Sequence, residues 1–410
     1  MSKARNITFI IVVAAVCLLI AGYKVVDKVG LLPAYFDNGK HSYLEGRQLE
    51  KFPKLTFTGF LSGELQDDLE NYVSDNFPAR EQAVLANAGL QGTSISIANL
   101  PFGFDAYPTY FGSDIVFSPE TRSLHKIPSK MNENTEKMLA EAVEEYTALD
   151  RSDSANFVIY IPDRSYVSSA NPAMQYVLNA FNREDIAAEF IDKLTTGPEI
   201  LLDSHETTSD YLEHYFNSDH HWRMEGAYNA YEELAGVLDL QPLEVKEKIV
   251  YDYDFFGSFC REGLSLAAKD RLTDYVIEFP YLEVRYGEEV ISRTRKELFD
   301  SDEVDGDQIK YNSYGYYFGS DLDCVIYTVP ENEEKGDLLI IADSYSQPIE
   351  PMLASHYNST HVIDLRFFDS NINEYIQEHN FETVIILMSA NNLFSSDTLD
   401  AFTPCSIDSF

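Results

Sequence analysis

The sequence predicts an α/β fold in which a doubly wound parallel sheet carries helices on both faces, giving three layers. Three observations lead there. Short apolar runs at Asn156–Ile161, Leu338–Ala342, His361–Leu365 and Val384–Met388 are bounded by charge and turn residues, the pattern of buried strands. Stretches with helical spacing, Asn132–Leu149, Arg183–Leu194, Gly226–Leu234 and Ile372–Glu378, lie between or beside them. The two kinds of segment alternate along the chain, as a doubly wound sheet requires.

Taken in order, the chain opens with a basic tip, Lys3 and Arg5, followed by Ile7 to Tyr23, apolar apart from Thr8. About 17 residues is at the short end for a membrane span. A cleaved signal peptide is the alternative, but Ala21-Gly22 runs directly into Tyr23-Lys24-Val25-Val26, a poor cleavage context. We therefore expect residues 1–24 to form a single-pass signal anchor, with the basic end in the cytoplasm and the main body outside the cell membrane. Residues 25–95 read as a membrane-proximal helical connector, with helical periodicity from Gly63 to Val73 and from Arg80 to Leu90. Between these lies Asp75-Asn76-Phe77-Pro78-Ala79-Arg80, where Pro78 suits a helix start and Arg80 can pair back to Asp75.

Residues 96–410 form the α/β body. Pro101–Phe117 alternates aromatics with Gly and Pro, a hairpin signal. Strand Asn156–Ile161 is stopped by Pro162, and Glu199–Asp203 reads as another short strand. From about 245 to 334 the texture turns aromatic, with Tyr251–Gly257, Tyr275–Arg285 and Tyr311–Gly319 partly alternating. This region is expected to be a β-rich insertion that walls a cleft or packs on the sheet. The α/β pattern resumes at Leu338 and closes with the loop Ser389-Ala390-Asn391-Asn392.

Composition narrows the function. With 45% hydrophobic and 13% aromatic residues, 410 residues can bury a large core. The 68 acidic against 30 basic side chains, a formal charge of -38, repel phosphate backbones and argue against nucleic-acid binding. The four cysteines, Cys17, Cys260, Cys324 and Cys405, lack CxxC spacing, so they indicate neither a structural zinc site nor a thioredoxin-like site.

The chemistry gathers at two short segments. Asp343-Ser344-Tyr345-Ser346 follows the strand Leu338–Ala342, so Ser344 stands past a carboxyl end, where open α/β sheets place reacting groups. A serine hydroxyl is a weak nucleophile until an imidazole takes its proton, and the imidazole needs a carboxylate to fix its tautomer. Asp219-His220-His221-Trp222 offers both. In extended backbone, residues two apart share a face, so Asp219 and His221 form the working pair and His220 points elsewhere. Trp222 would cover the pair. The oxyanion donors expected are the Ser344 amide and the side chain of Asn391 or Asn392, with Asp343, Tyr345 and Trp222 beside the substrate. Two other readings stand next to this one. Asp219 could be a helix cap, and His214, Asp219, His220 and His221 could bind a metal, although adjacent histidines rarely reach one ion.

Asp219-His220-His221-Trp222, followed by Gly226-Ala227-Tyr228, resembles the signature of the DHHW protein family of Gram-positive bacteria. The likeness extends to Asp75–Arg80, Tyr160-Ile161-Pro162-Asp163-Arg164, Ala342-Asp343-Ser344-Tyr345 and Val362–Arg366. That family is similar to the alginate-type O-acetyltransferases with SGNH-hydrolase-like folds. The resemblance implies Ser344 as nucleophile, His221 as base and Asp219 as its orienting acid. It also implies an extracellular enzyme adding or removing O-acetyl groups on cell-surface or secreted polysaccharide, with an acyl donor supplied by a membrane partner and no cofactor or metal. Two positions depart from the pattern: Ala342 replaces a glycine and Arg164 replaces a lysine. A glycan-binding module of the same fold without turnover is the alternative.

Overall fold

The structure is a computed structural model that describes residues 41–54, 56–77, 79–150, 156–162, 172–183, 185–194, 199–203, 205, 207–290, 306–319 and 321–402. The expected anchor at residues 1–24 lies outside these, as do Pro78, Arg164, Cys17 and Cys405. No helix among the described residues is long and apolar enough to cross a membrane. The chain divides into two compact units, Met1–Ser94 and Ile95–Phe410.

In the first unit, a two-stranded ladder pairs His41–Ser42 with Arg47–Gln48, and helices run over Phe57–Ser62, Glu64–Asp75 and from Arg80 onward. Asp75 is claimed chiefly by Arg47, whose two guanidinium nitrogens donate to its two oxygens at 2.7 and 2.6 Å. Arg80, the partner expected from the sequence, stands 3.8 Å from Asp75 and turns to Glu45. The Arg47 hydrogen bond holds the Asp75 carboxyl below its usual range.

The second unit is built on one eight-stranded sheet. A small antiparallel sheet of Tyr107–Pro108, Ile115–Ser118 and Ser123–Lys126 comes first. The elements that frame the large sheet and the site then start with helix α1 (Glu133–Asp150), strands β1 (Asn156–Ile161) and β2 (Glu199–Leu202), and helices α2 (Thr208–His214) and α3 (Met224–Val237). Strands β3 (Glu283–Tyr286) and β4 (Glu289–Val290) follow, then helix α4 (Gly306–Phe318), kinked at Asn312, and strand β5 (Cys324–Thr328). Strand β6 (Asp337–Ala342), helix α5 (Glu350–Ala354), strand β7 (Ser359–Ile363), helix α6 (Ile372–Glu378) and strand β8 (Phe381–Leu387) complete the sheet. The strand order is β4-β3-β5-β7-β6-β8-β1-β2.

Strands β7, β6, β8, β1 and β2 are parallel, whereas β5, β3 and β4 join antiparallel. The sheet is therefore mixed rather than wholly parallel. The antiparallel edge comes from the region read as an insertion, and connection length accounts for its outermost pair. A tight turn links β3 to β4, with Gly287 at φ 57, and such a turn can join only antiparallel neighbours. The same region adds a separate antiparallel ladder, Val245–Val250 with Thr273–Ile277.

Strand β6 explains why its sequence is continuously apolar. Leu338, Ile340 and Ala342 pack into one core, with Met224, Ala227, Tyr231 and Leu234 of α3, Tyr314 and Tyr317 of α4, and Met352 of α5. Leu339 and Ile341 enter the core on the other face, with Leu139, Ala142 and Tyr146 of α1 and Ile372 of α6. Period-two alternation with helices on both faces leaves no polar face. Each buried Leu or Ile of this strand contributes about 1.5–3 kcal/mol by burial. Tyr311–Gly319, grouped by sequence with the β-rich stretches, covers the second part of α4 and the glycine that follows it. Its buried residues Tyr311, Tyr314, Tyr317 and Phe318 recur at helical spacing, so the aromatics reflect packing rather than strand formation.

Candidate active site

Ser344 stands two residues past β6, at the carboxyl edge of the sheet. There β6 sends its connection to β7 on one side, while β1 sends its own to β2 on the other, the arrangement that opens a crevice in doubly wound sheets. The turn is held by Asp343, buried, whose carboxylate accepts from the amides of Tyr345 (3.0 Å) and Ser389 (2.9 Å) and from the Asn392 side chain (2.8 Å). Asp343 thus locks the serine turn to the end of β8. Ala342 replaces glycine without strain: it ends the strand, and residues 342–346 have no positive φ.

The loop between α2 and α3 carries the other two groups. Tyr215 and Trp222 form an isolated antiparallel bridge across its base, and the Arg223 amide donates to the His214 carbonyl at 2.6 Å. Asp270, buried, takes the Ser218 amide and hydroxyl (2.7 and 2.6 Å), the Asn217 amide (3.0 Å) and the Arg223 guanidinium (2.5 Å). A loop fixed at so many points can present a side chain with little entropy left to lose.

Within it, the His221 Nδ1–H donates to Asp219 Oδ1 at 2.7 Å, and the Ser344 hydroxyl donates to His221 Nε2 at 2.7 Å. Three residues separated by up to 125 positions in sequence thus form one hydrogen-bonded chain. Both Asp219 oxygens are engaged, since Oδ1 also accepts the His221 amide (3.0 Å) and Oδ2 the Ser258 amide (2.7 Å). Burial alone would raise this carboxyl. The charge and hydrogen bond of His221, the charge of His220 and the Ser258 amide outweigh burial and hold it well below the usual carboxylate range. An ionised Asp219 keeps the proton on Nδ1 and leaves Nε2 free to accept the serine proton.

His220 stays beside the pair, against the two-residue expectation: its ring centroid lies 3.7 Å from that of His221 and its Nδ1 3.6 Å from Asp219 Oδ1, while the same nitrogen meets the Ser258 hydroxyl at 2.6 Å. Asp219, His220 and His221 each bring a donor atom within 4.8 Å of the others, but His214 is not part of that set. Trp222 and Tyr345 differ from expectation. Trp222 is fully buried and Tyr345 nearly so, with the two rings edge to face at 5.3 Å. Neither presents a face to a sugar. Trp222 anchors the loop in the core, and the Tyr345 hydroxyl donates to the His220 carbonyl. Asn392 is committed to Asp343, while Asn391 is exposed and its side chain has no hydrogen bond among the described residues. The Ser344 amide likewise donates to none of the described residues.

Sequence reasoning missed Tyr314, Gly257 and Ser258. The Tyr314 ring stacks on His221 at 3.6 Å and 6°, and its hydroxyl donates to the Ser344 carbonyl at 2.8 Å. Burial above all, then the charges of Tyr345, Asp219 and Asp343, push its phenol well up, so it stays protonated. Its signal was the three-and-four spacing of Tyr311, Tyr314, Tyr317 and Phe318. Gly257 lies against Asp219 so closely that a Cβ there would stand 2.3 Å from the carboxylate carbon chain and Oδ2. Cys260, buried, is a free thiol donating to the Ala268 carbonyl, and Cys324 is also free.

The fold is found in solved structures. The chain resembles a DHHW family protein in fold. That protein, from Eubacterium siraeum, superposes with a TM-score of 0.53 at 15% identity, covering 74% of this chain and 99% of the other. Bacillus cereus PatB1, in a structure with a sulfonyl adduct, superposes with a TM-score of 0.54 at 18% identity, covering 71% of this chain and 99% of PatB1. The O-acetyltransferase domain of Pseudomonas putida AlgJ aligns with a TM-score of 0.31 at 13% identity over 71% of this chain and 93% of that one, too loosely to bear on the fold. No protein-family model matches the sequence, and no curated protein matches it.

Proposed function

We propose that this chain is an acyl-ester enzyme of SGNH-hydrolase type, an O-acetyltransferase or O-acetylesterase, with Ser344 as nucleophile, His221 as base and Asp219 as its orienting acid. The observation that carries the reading is the unbroken Asp219–His221–Ser344 relay at the carboxyl edge of the sheet, with both contacts at 2.7 Å. Such a relay supplies what acyl transfer needs and serves no packing purpose that a serine could not meet elsewhere.

In the proposed sequence, the Ser344 oxygen attacks the acyl carbonyl carbon as its proton passes to His221 Nε2. The bond to the leaving oxygen breaks, and that oxygen takes the proton from His221. A sugar hydroxyl or water then gives its proton to His221 and attacks the acyl-serine, returning the proton to Ser344 as the new ester or acid departs. The free Ser344 amide and the exposed Asn391 side chain are our candidates for the oxyanion donors. Asn392 is the weaker candidate because Asp343 holds it.

The acceptor we propose is a hydroxyl of cell-surface or secreted polysaccharide. The acyl group would come from a membrane partner, and residues 1–24 would tether the body outside the cell membrane. PatB1 with its sulfonyl adduct offers a direct probe: a sulfonyl fluoride should label Ser344 here. A glycan-binding module without turnover would share the cleft, and it differs in leaving Ser344 unlabelled. The test is acetate release from a chromogenic acetyl ester, with sulfonyl labelling mapped by mass spectrometry. Ser344→Ala should lose both signals. A wild-type chain that neither turns over nor labels would sink the reading.

A further inference from the structure

A second set of buried nitrogen and oxygen donors closes the other end of the α2 segment. Asp203 follows the edge strand β2, its amide donating to the Ile161 carbonyl at 3.1 Å to extend the β1–β2 ladder. His205 comes two residues later, and His214 is the last residue of α2. One ring nitrogen of each histidine and one Asp203 oxygen lie within 4.8 Å of one another. The Asp203 and His205 side chains are 0% and 1% exposed. His205 Nε2 stands 3.2 Å from Asp203 Oδ1, and the two imidazole rings meet edge to face with centroids 4.7 Å apart.

We propose that Asp203, His205 and His214 bind a divalent transition-metal ion of the zinc type. Two imidazoles and a carboxylate are the donor set such ions take, with water in the fourth position. Ligand atoms around a tetrahedral zinc are about 3.3 Å apart, given metal–ligand lengths near 2.0–2.1 Å. The Asp203–His205 pair already stands at that separation, and the third corner needs a small closing movement of His214. The donors are also backed as metal ligands usually are. The Tyr215 hydroxyl donates to the second Asp203 oxygen, and His205 Nδ1 faces Asp210 at 3.6 Å. His214 Nδ1 is buried with no hydrogen-bond partner among the described residues, a vacancy in the polar accounting that a metal bond fills.

The role assigned is positioning. His214 directly precedes Tyr215, whose bridge to Trp222 forms the base of the loop that carries Asp219 and His221. A metal there ties the edge strand to that loop. It stands apart from the relay, so it is independent of the acyl-transfer reading.

The test uses the full chain, stripped with chelator and titrated with Zn2+ by calorimetry and with Co2+ by visible absorption. We expect one equivalent of zinc and the strong visible bands of four-coordinate cobalt. His214→Gln should weaken zinc binding by more than about 100-fold, and His220→Gln should leave it unchanged. Hydrogen exchange on the wild-type chain, with and without zinc, decides the matter without a variant: zinc should slow exchange in 207–216. Absence of saturable zinc binding overturns the proposal. So does zinc protection confined to 219–222 and 257–260, or zinc binding lost in His220→Gln and kept in His214→Gln.

Discussion

Two histidine–aspartate pairs lie buried in the second unit, one on each side of Tyr215, and they differ in what completes them. In the first, Asp219 and His221 meet at 2.7 Å and the free imidazole nitrogen faces a serine hydroxyl. In the second, Asp203 and His205 stand at 3.2 Å and the third member is another imidazole. The same pair of residue types thus suits a proton relay where the third group can give up a proton. Where the third group offers a lone pair, it suits a ligand set. The backing differs in kind as well. Asp219 receives two backbone amides, Ser258 and His221, which stabilise its charge in place. Asp203 receives a tyrosine hydroxyl on one oxygen, leaving the other turned toward His205.

Removing the third member of the first cluster has the largest expected effect. Ser344→Ala should lower turnover of an acetyl ester by about 10⁴-fold or more, measured at equal circular dichroism. Asp219→Asn comes next. It keeps the shape but turns the imidazole to the wrong tautomer, so turnover should fall by about 10³- to 10⁴-fold with the fold intact. If Asp219→Asn costs less than about tenfold, the relay is not the working geometry.

A third imidazole sharpens the contrast, because its ring nitrogen meets the Tyr375 hydroxyl at 2.7 Å instead of a carboxylate. Burial, helped by the nearby charge of His379, pushes His361 down to about 4. The unfolded chain titrates it near 6.5 and so binds the proton first. The stability this neutral histidine confers is full above pH 6.5 and is lost as the pH falls toward 4. The loss is about 3 kcal/mol. Unfolding free energies from urea melts at pH 7 and pH 4 should differ by that much more in the wild-type chain than in His361→Gln.

Gly257→Ala gives the smallest effect on stability. Its methyl must displace Asp219, so we expect about 2 kcal/mol of destabilisation and a drop in turnover beyond what that loss explains. Thermal melts together with kcat separate the two. Unchanged kcat in a destabilised variant would mean that the Asp219 position tolerates a shift.

Much of the second unit was legible in the sequence because it is local. Strands β1 and β6 are apolar runs closed by turns, and α6 matches its predicted span residue for residue. The two-residue spacing of Asp219 and His221 gave their shared direction, and Ser344 could be read from its position after a strand. Trp222 and Tyr345 were misread because an aromatic beside a site looks the same on paper whether it faces solvent or the core. The antiparallel edge was missed because strand direction depends on connection length and pairing, not on the strand's own residues.

What the sequence determined by itself is therefore what periodicity and short spacing encode: the alternation of strands and helices, the β6 core strand, and the two segments that carry Ser344 and the Asp219–His221 pair. Only the tertiary structure decided which groups meet. It set Tyr314 flat against His221, pressed Gly257 onto Asp219, tied the loop to Asp270 and gathered Asp203, His205 and His214. These contacts join residues far apart in the chain or on different elements. Side chains that converge by packing carry no local pattern, so the folded chain alone can bring them together.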